Sequence, residues 1–397
     1  MMECDVAIVG AGPAGCSTAI TLAQRGYQVA LIDRASFPRE KLCGDFLNPI
    51  NWPVLDELAV SHDVLARPHN QISAFRITAA DGAEAFSAIP AQGERGFGLG
   101  LRRFHLDHVL LQRTKGAGVS VNEGVKVTGV EKCSHGWQLD MDRSGERFST
   151  RAKVLVGADG RNSLIARQLG VSLERPKPSS SVGFEIQLRK CLAVRGSIEI
   201  HQFAGGYAGL ARIDESTINL GFAVRRSLLG RSVSFARLRE QFLNRNPFLD
   251  GLLSASEPMG DLRSVWPVYF GPRTCFGDGF LLVGDAARVT EPVTGEGIFF
   301  ALRSGQLAAA TIAGALRDGD ASLARFSQYD GVCRTEFGAR FRLNSLIRGL
   351  MYRPRLLSLA IRTLSRRPWL LDSLVKAVCL PRPDFKSELT PALNAGT

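Results

Sequence analysis

Residues Asp5 to Arg34, "DVAIVGAGPAGCSTAITLAQRGYQVALIDR", constrain this 397-residue chain more than any other stretch. Val6 to Val9 is a short apolar run and reads as a buried parallel strand. Gly10, Gly12 and Gly15 follow in GxGxxG spacing. The first glycine permits a tight turn, the second lets the backbone approach a pyrophosphate, and the third lets a helix pack close to the sheet. A helix starting at Pro13-Ala14 would aim its free N–H groups at the phosphates. It should end near Gly26, and Val29 to Ile32 should form a second strand. Asp33, next to Arg34, closes that strand where a carboxylate can accept from ribose hydroxyls. Strand, glycines, helix, strand and acid in this order predict a dinucleotide site with an unphosphorylated ribose, hence FAD or NAD.

Two distant stretches add to it. "VLVGADGRNSLIARQLG", from Val154, runs a strand into Asp159-Gly160 and then a helical segment. "GFLLVGDAARVTEPVTGEGIFFALRSGQLAAATIAGAL", from Gly279, runs a strand over Phe280 to Val283 into Gly284-Asp285, then a loop, then a long Ala-rich helix. An aspartate at such a strand end either holds a polyol or caps the next helix. The loop through Gly295 and Gly297 presents a helix N-terminus, which stabilises nearby negative charge. A reduced flavin, anionic over N1 and the C2 carbonyl, needs that stabilisation.

These pieces, with "LRRFHLDHVLLQRTKGAG" from Leu101, together resemble FAD enzymes of the para-hydroxybenzoate hydroxylase fold, and within them the geranylgeranyl reductase family. The resemblance covers most of residues 4 to 320. It implies an extended FAD with no separate NAD(P)H domain, and it places Arg103, in a pattern with Asp107, near the flavin. It also implies that "KLCGDFLNP", residues 41 to 49, passes the flavin on the substrate side. Cys43 is therefore the candidate catalytic residue. The alternative is a buried small hydrophobe, the commonest state of a free cysteine.

Between the FAD segments lie four strand-like stretches at 181–189, 195–203, 206–214 and 217–224, with Asp214-Glu215-Ser216 as a hairpin turn. They predict an antiparallel sheet roofing the flavin. Here the sequence departs from the reductase pattern. Gly209-Leu210-Ala211-Arg212 stands where that family has Trp-x-Phe-Pro, which puts an isoprenoid substrate in doubt. The tryptophan signature of flavin-dependent halogenases is not evident either.

Charge matters in the tail. The chain carries +11 overall, and residues 340 to 382 hold ten Arg or Lys against one acid, Asp372. Arg355, Arg362 and Arg366 share one helical face, opposite Leu357, Ala360, Ile361 and Leu364. A second helix should start at Pro368. Either these helices lie on a membrane surface or they pack on the core with solvated arginines. No nucleic-acid-binding module accompanies the charge. The eight cysteines are scattered, without metal-ligand spacing, so free thiols in a reducing compartment and no metal are expected. The N-terminus enters a strand directly and no uncharged apolar run reaches membrane length, so neither a signal peptide nor a transmembrane helix is expected.

The expected protein is an α/β flavoenzyme in the cytoplasm, with the inner membrane face as a peripheral surface under the first tail reading. Residues 1–70, 95–170 and 275–335 form a discontinuous Rossmann-like FAD-binding domain. Residues 71–94 and 171–274 form an antiparallel-sheet substrate domain, and 336–397 a basic amphipathic helical C-terminus. NADH or NADPH reduces the FAD. The first reading of the reaction is reduction of a carbon–carbon double bond in a hydrophobic substrate, an isoprenoid, polyketide or phenolic lipid. The alternative is hydroxylation of an aromatic or polyketide lipid. A lipid-binding protein that has lost its flavin is a third class, opposed by the intact Gly10, Gly12, Gly15, Asp33 and Asp285.

Overall fold

The computed structural model describes residues 2–90, 95–171, 180–191, 196–269 and 271–381. Residues 91–94, 172–179, 192–195 and 382–397, which belong to the expected sheet domain and tail, lie outside the described residues, as does 270.

Strand Met2–Val9 is the centre of the first sheet. Its apolar half, Val6 to Val9, is buried, as a strand covered on both faces requires. It pairs in parallel with Val29–Asp33 on one side and Glu146–Gly157 on the other. Ser120–Glu123 and Phe280–Leu282 extend the parallel set at either edge. All five strands run the same way, so Gly10, Asp33, Ala158-Asp159 and Gly284 arrive at one edge, where open α/β sheets bind ligands. The N-terminal half of Glu146–Gly157 continues past the parallel set into an antiparallel meander with Gly136–Arg143 and Lys126–Cys133.

Helix Pro13–Ala23 is buried along nearly its whole length between the sheet and helix Gly297–Asp318. Small residues make this possible. Ser17 Oγ donates to the Leu302 carbonyl at 2.7 Å, and a Cβ on Gly305 would lie 2.6 Å from the Ala14 carbonyl oxygen. The longer helix is apolar and long enough to cross a membrane, yet most of it is enclosed by protein. It is a core helix.

The second sheet has seven strands in the order Glu257–Val265, Ser181–Arg189, Ile218–Arg225, Gly206–Arg212, Ser197–Phe203, Ala74–Thr78 and Glu84–Ala88. Its pairings are antiparallel except that Ala74–Thr78 runs parallel to Ser197–Phe203. The turn expected at Asp214 closes one hairpin, with Asp214 Oδ1 accepting from Ser216 N at 2.9 Å and Thr217 N at 2.8 Å. One face of this sheet, with Phe184, Leu188, Leu210, Leu220 and Phe222, packs on Leu238, Leu243, Leu249 and Leu253. The other face carries Glu185, Asn219, Gly221, Gly209 and Tyr207, and it turns toward the first sheet's ligand edge.

Three helices finish the chain: Leu323–Met351, Pro354–Arg366 and Pro368–Cys379, the last two starting at proline as expected. Leu357, Ile361, Leu371, Val375 and Val378 are buried in one cluster with Ile72, Ile198, Tyr207 and Met351. The apolar stripe of Pro354–Arg366 therefore faces the protein, while Arg355, Arg362 and Arg366 are exposed. Ile361→Ala should cost about 2–5 kcal/mol through the cavity it leaves. Leu359→Ala, at a 64% exposed position, should change stability by less than about 0.5 kcal/mol. Urea denaturation of both variants measures the contrast, and equal small effects would show the helix to be undocked.

Candidate active site

The glycine turn is built by contact. Gly10 has φ +109°, a conformation that side chains resist, and a Cβ there would lie 2.3 Å from the Ala158 carbonyl oxygen. A Cβ on Gly15 would lie 1.8 Å from the Gly10 carbonyl oxygen. These two glycines are demanded by the protein itself. Gly12 is different: a Cβ there would meet only Arg39 Nη2, at 3.8 Å. The space in front of Gly12, beside the N-terminus of helix Pro13–Ala23, is a cradle that a pyrophosphate suits. Pro13 and Ala14 form the first turn of that helix.

Asp33 holds the turn from the neighbouring strand. Its Oδ2 accepts from Ala11 N at 2.7 Å and its Oδ1 from Ala35 N at 2.8 Å. Each oxygen retains a lone pair for a ribose hydroxyl. Arg34 is exposed beside it. Asp159 shows the capping role: Oδ2 accepts from Leu164 N at 2.6 Å and Ile165 N at 3.2 Å at the start of helix Leu164–Gln168. Its Oδ1 is buried with no hydrogen-bond partner among the described residues, an orphan acceptor that a ligand hydroxyl could satisfy. Gly160 follows with φ +80°. Asp285, after Gly284, caps no helix, and its Oδ2 lies 3.4 Å from Arg161 Nη2.

A chain of charges lines the next part of the site. Arg103 grips Asp107 with Nε–Oδ1 at 2.6 Å and Nη2–Oδ2 at 2.8 Å, and Arg39 Nη1 reaches Asp107 Oδ2 at 3.1 Å. Asp107 is fully buried, so both guanidiniums are fixed in place. Lys41 projects among these cations. Although its side chain is exposed, partial loss of hydration, then Arg39 and Arg103, pull its pKa down, against Asp285.

Residues 43 to 45 lie against the second sheet. Cys43 N donates to Glu185 Oε2 at 3.1 Å, and Asn219 Nδ2 donates to the Cys43 carbonyl at 2.7 Å. Gly44 Cα sits 3.8 Å from where a Cβ on Gly221 would be. Asp45 is buried with φ +50°, its Oδ1 accepting from Arg103 N at 3.1 Å. Burial pushes the Cys43 thiol up to about 11, with the Arg103 charge opposing. This direction favours the protonated thiol over an activated thiolate. Beneath it, register aligns Glu185, Gly221, Gly209 and Ile200 across four strands. A Cβ on Gly209 would meet only strand carbonyl oxygens, at 3.9 Å. The sheet offers a flat, small-residue floor where the reductase pattern has bulky aromatics.

The loop before helix Gly297–Asp318 is pinned from behind. Asn344 Nδ2 donates to Thr294 Oγ1 at 2.7 Å, and Arg340 Nη1 to Glu296 Oε1 at 2.7 Å. Gly295, with φ +66°, lies against the Phe46 ring. Glu296 is engaged by Arg340, so its carboxylate does not occupy the helix N-terminus.

The structure thus brings together Gly12, Arg39, Cys43, Arg103, Asp159 and Asp285 around one ligand edge. Sequence reasoning missed Arg39, Asp45 and Glu185. Asp45 stands inside the stretch that drew attention to Cys43. Glu185 and Arg39 carried no signal, because only the tertiary fold puts them beside it.

The FAD binding domain family matches residues 3–201. Among curated proteins, a digeranylgeranylglycerophospholipid reductase of Methanocella arvoryzae is 30% identical over 357 residues, covering 85% of this chain and 84% of the relative. A 1H-pyrrole-2-carbonyl-[peptidyl-carrier protein] chlorinase of Pseudomonas fluorescens is 27% identical over 388 residues, 88% and 86% of the two chains. Among solved structures, a flavin-dependent brominase superposes with TM-score 0.82 at 22% identity over 98% of this chain and 96% of its own. A geranylgeranyl bacteriochlorophyll reductase-like protein of Thermoplasma acidophilum gives TM-score 0.82 at 21% identity, over 97% and 98%. Halogenases, set aside on the tryptophan signature, are relatives of this fold as much as the reductases are. With the cradle at Gly12 and the strand-end acids in place, the chain belongs to the FAD binding domain flavoenzymes of the para-hydroxybenzoate hydroxylase fold group, kin to both geranylgeranyl-reductase-like and flavin-halogenase branches, and is an FAD-dependent oxidoreductase.

Proposed function

We propose that the enzyme is a flavin monooxygenase that hydroxylates an electron-rich aromatic substrate, a phenolic or polyketide lipid, with NADH or NADPH as reductant and O2 as co-substrate. The observation that carries this reading is the floor of Glu185, Gly221, Gly209 and Ile200 under the Cys43–Asp45 segment. The two adjacent glycines at the middle of this row, Gly221 and Gly209, leave room for a planar ring laid flat, and Ile200 with Phe75 and Ile77 extends the floor in apolar surface. Relatives named as a chlorinase and a tryptophan 2-halogenase support aromatic chemistry on this framework. The second reading, reduction of a carbon–carbon double bond, is supported by the 30% identical reductase and by the Cys43-bearing segment.

The residues fit FAD. Gly10, Gly12, Pro13, Ala14 and Gly15 would take the pyrophosphate, Asp33 and Arg34 the adenosine side, and Arg103, Asp159, Gly160, Gly284 and Asp285 the ribityl and flavin side. Gly295 and Gly297 would present the helix N-terminus to the ring. Bound FAD supplies two electrons taken from NAD(P)H. This chain's part is to hold it, fix the substrate ring and exclude water. Arg103 and Arg39, locked by Asp107, provide positive charge there, and Cys43 lines the pocket as a neutral thiol. The discontinuous domain limits, with 71–94 and 171–274 as the substrate side, belong to the same proposal.

The outer surface of the C-terminal helices leads us to propose a peripheral contact with anionic lipid. Leu356, Leu359 and Trp369 are 48%, 64% and 64% exposed, and Arg353, Arg355, Arg362, Arg366 and Arg367 are exposed among them. Basic residues near an acidic bilayer contribute roughly 1 kcal/mol each.

Gly12→Val should leave the fold stable, since a Cβ there would meet only Arg39 Nη2, at 3.8 Å, and yield a colourless protein. Gly15→Ala should destabilise the fold itself. Flavin absorbance and thermal melting separate the two, and a yellow Gly12→Val protein would overturn the FAD assignment. With alkylresorcinols as probes, oxygen uptake should match NAD(P)H oxidation one to one. Anaerobic consumption of NAD(P)H driven by a polyprenyl lipid would replace the first reading with the second. Co-sedimentation with anionic vesicles should exceed that with neutral ones and fade with salt. Equal, negligible binding to both would remove the membrane proposal.

A further inference from the structure

The site contains two acids that the FAD-holding set does not use. Asp45 lies on the 41–45 segment and Glu185 on the sheet floor, 140 residues away in sequence, and both are 3% exposed. Glu185 Oε2 accepts from Cys43 N, and Asp45 Oδ1 accepts from Arg103 N, so one backbone segment holds the two carboxyls together. Among the described residues, neither carboxyl is hydrogen-bonded to an arginine or lysine side chain. The nearby cations are committed elsewhere: Arg103 grips Asp107, while Arg102 and Arg263 both reach Glu40, Arg263 Nη1 at 3.3 Å. Asp45 adopts a left-handed backbone, a conformation kept only where the surroundings enforce it.

Two buried carboxyls that no arginine or lysine side chain among the described residues hydrogen-bonds cannot both ionise at modest cost, even with Arg103, Arg102 and Arg263 nearby. The groups facing Asp45 are Glu185, Arg103, Glu40 and Cys43; those facing Glu185 are Asp45, Arg263, Glu40, Arg102 and Cys43. The balance of these charges, with burial as the largest cause, raises Asp45 to about 8 and Glu185 to about 7.

We propose that Asp45 and Glu185 form an acid pair that retains a proton at neutral pH and delivers it to the reacting centre. The inference rests on the oxidoreductase reading above. In the hydroxylation, substrate, O2, NAD(P)H and one proton give hydroxylated substrate, water and NAD(P)+. The pair supplies that proton, which leaves in the water, and the resulting carboxylate is refilled from solvent. In the reduction reading the same proton goes to the carbon next to the one that takes hydride. The placement supports this role: Asp45 follows the Cys43 segment directly, and Glu185 heads the flat floor on which the substrate ring is laid.

The test uses FAD-loaded full-length protein. Infrared difference spectra between pH 5.5 and 9 should show a protonated carboxyl band lost between about pH 7 and 8, above the ordinary carboxylate range near 4. Asp45→Asn and Glu185→Gln should each remove or shift that band. Each should also keep full FAD content and lower kcat on the order of 100-fold, the lower range of general-acid effects. Stability supplies a readout that needs no substrate. The folded state holds protons that the unfolded state has released, so wild-type stability should fall as pH rises from about 5 through 8. Asp45→Asn should flatten that slope. A band titrating near pH 4, or one unmoved by both substitutions, would overturn the acid pair. If the band behaves as expected but oxygen uptake is absent, the pair stands and only the hydroxylase reading fails.

Discussion

The backbone contact between Gly10 and Ala158 is the constraint on which the rest of the molecule depends. The first strand must turn immediately, and the end of strand Glu146–Gly157 must lie against that turn, so no side chain fits at Gly10. Gly15 brings the first helix down on the same turn. Ala158 N also donates to the Val9 carbonyl at 2.8 Å, closing the two strand ends as one unit. Once these are in register, Asp33, Asp159 and Asp285 have fixed positions at one edge. The cradle at Gly12 is what remains open when the protein's own contacts are complete.

The second dependence is the attachment of residues 43–45 to the glycine floor. Two hydrogen bonds, from Cys43 N and from Asn219 Nδ2, join the FAD-binding sheet's connection to the seven-stranded sheet. A left-handed, non-glycine residue such as Asp45 costs about 1–3 kcal/mol, and burying carboxyls adds to that cost. Such expense is concentrated where a protein does chemistry. A well-packed apolar segment would have been the more stable choice at this position.

The C-terminal helices complete the site from behind. Arg340 Nη1 reaches both Glu296 Oε1 and the Ala377 carbonyl at 2.9 Å, and Asn48 Nδ2 reaches the carbonyls of Thr294 and Val378 at 3.3 and 3.4 Å. The loop ahead of helix Gly297–Asp318 is thereby fastened to helix Pro368–Cys379. Helices Pro354–Arg366 and Pro368–Cys379 are therefore part of the folded enzyme: their apolar stripes pack on the core, and Arg355, Arg362 and Arg366 occupy the outer surface.

The sequence by itself determined the parts whose physics is local. A GxGxxG turn between two apolar strands has one stable geometry, and the hairpin at Asp214, the proline-started helices and the capping at Asp159 follow from short-range hydrogen bonding. The boundaries of strand 181–189 were legible because alternation reports which face is buried, whereas the stretch expected over 206–214 ends at Arg212. The tertiary structure decided what depends on residues far apart in sequence. It turned the Leu357–Ile361 stripe inward, paired Ala74–Thr78 in parallel with Ser197–Phe203, and ran Lys126–Cys133 and Gly136–Arg143 as an unforeseen meander. It also set Glu185 against Cys43 and Asp45, and its partial burial of Cys43 pushes that thiol's pKa upward. A carboxyl's charge state depends on every group within several ångströms, and only the folded chain specifies which groups those are.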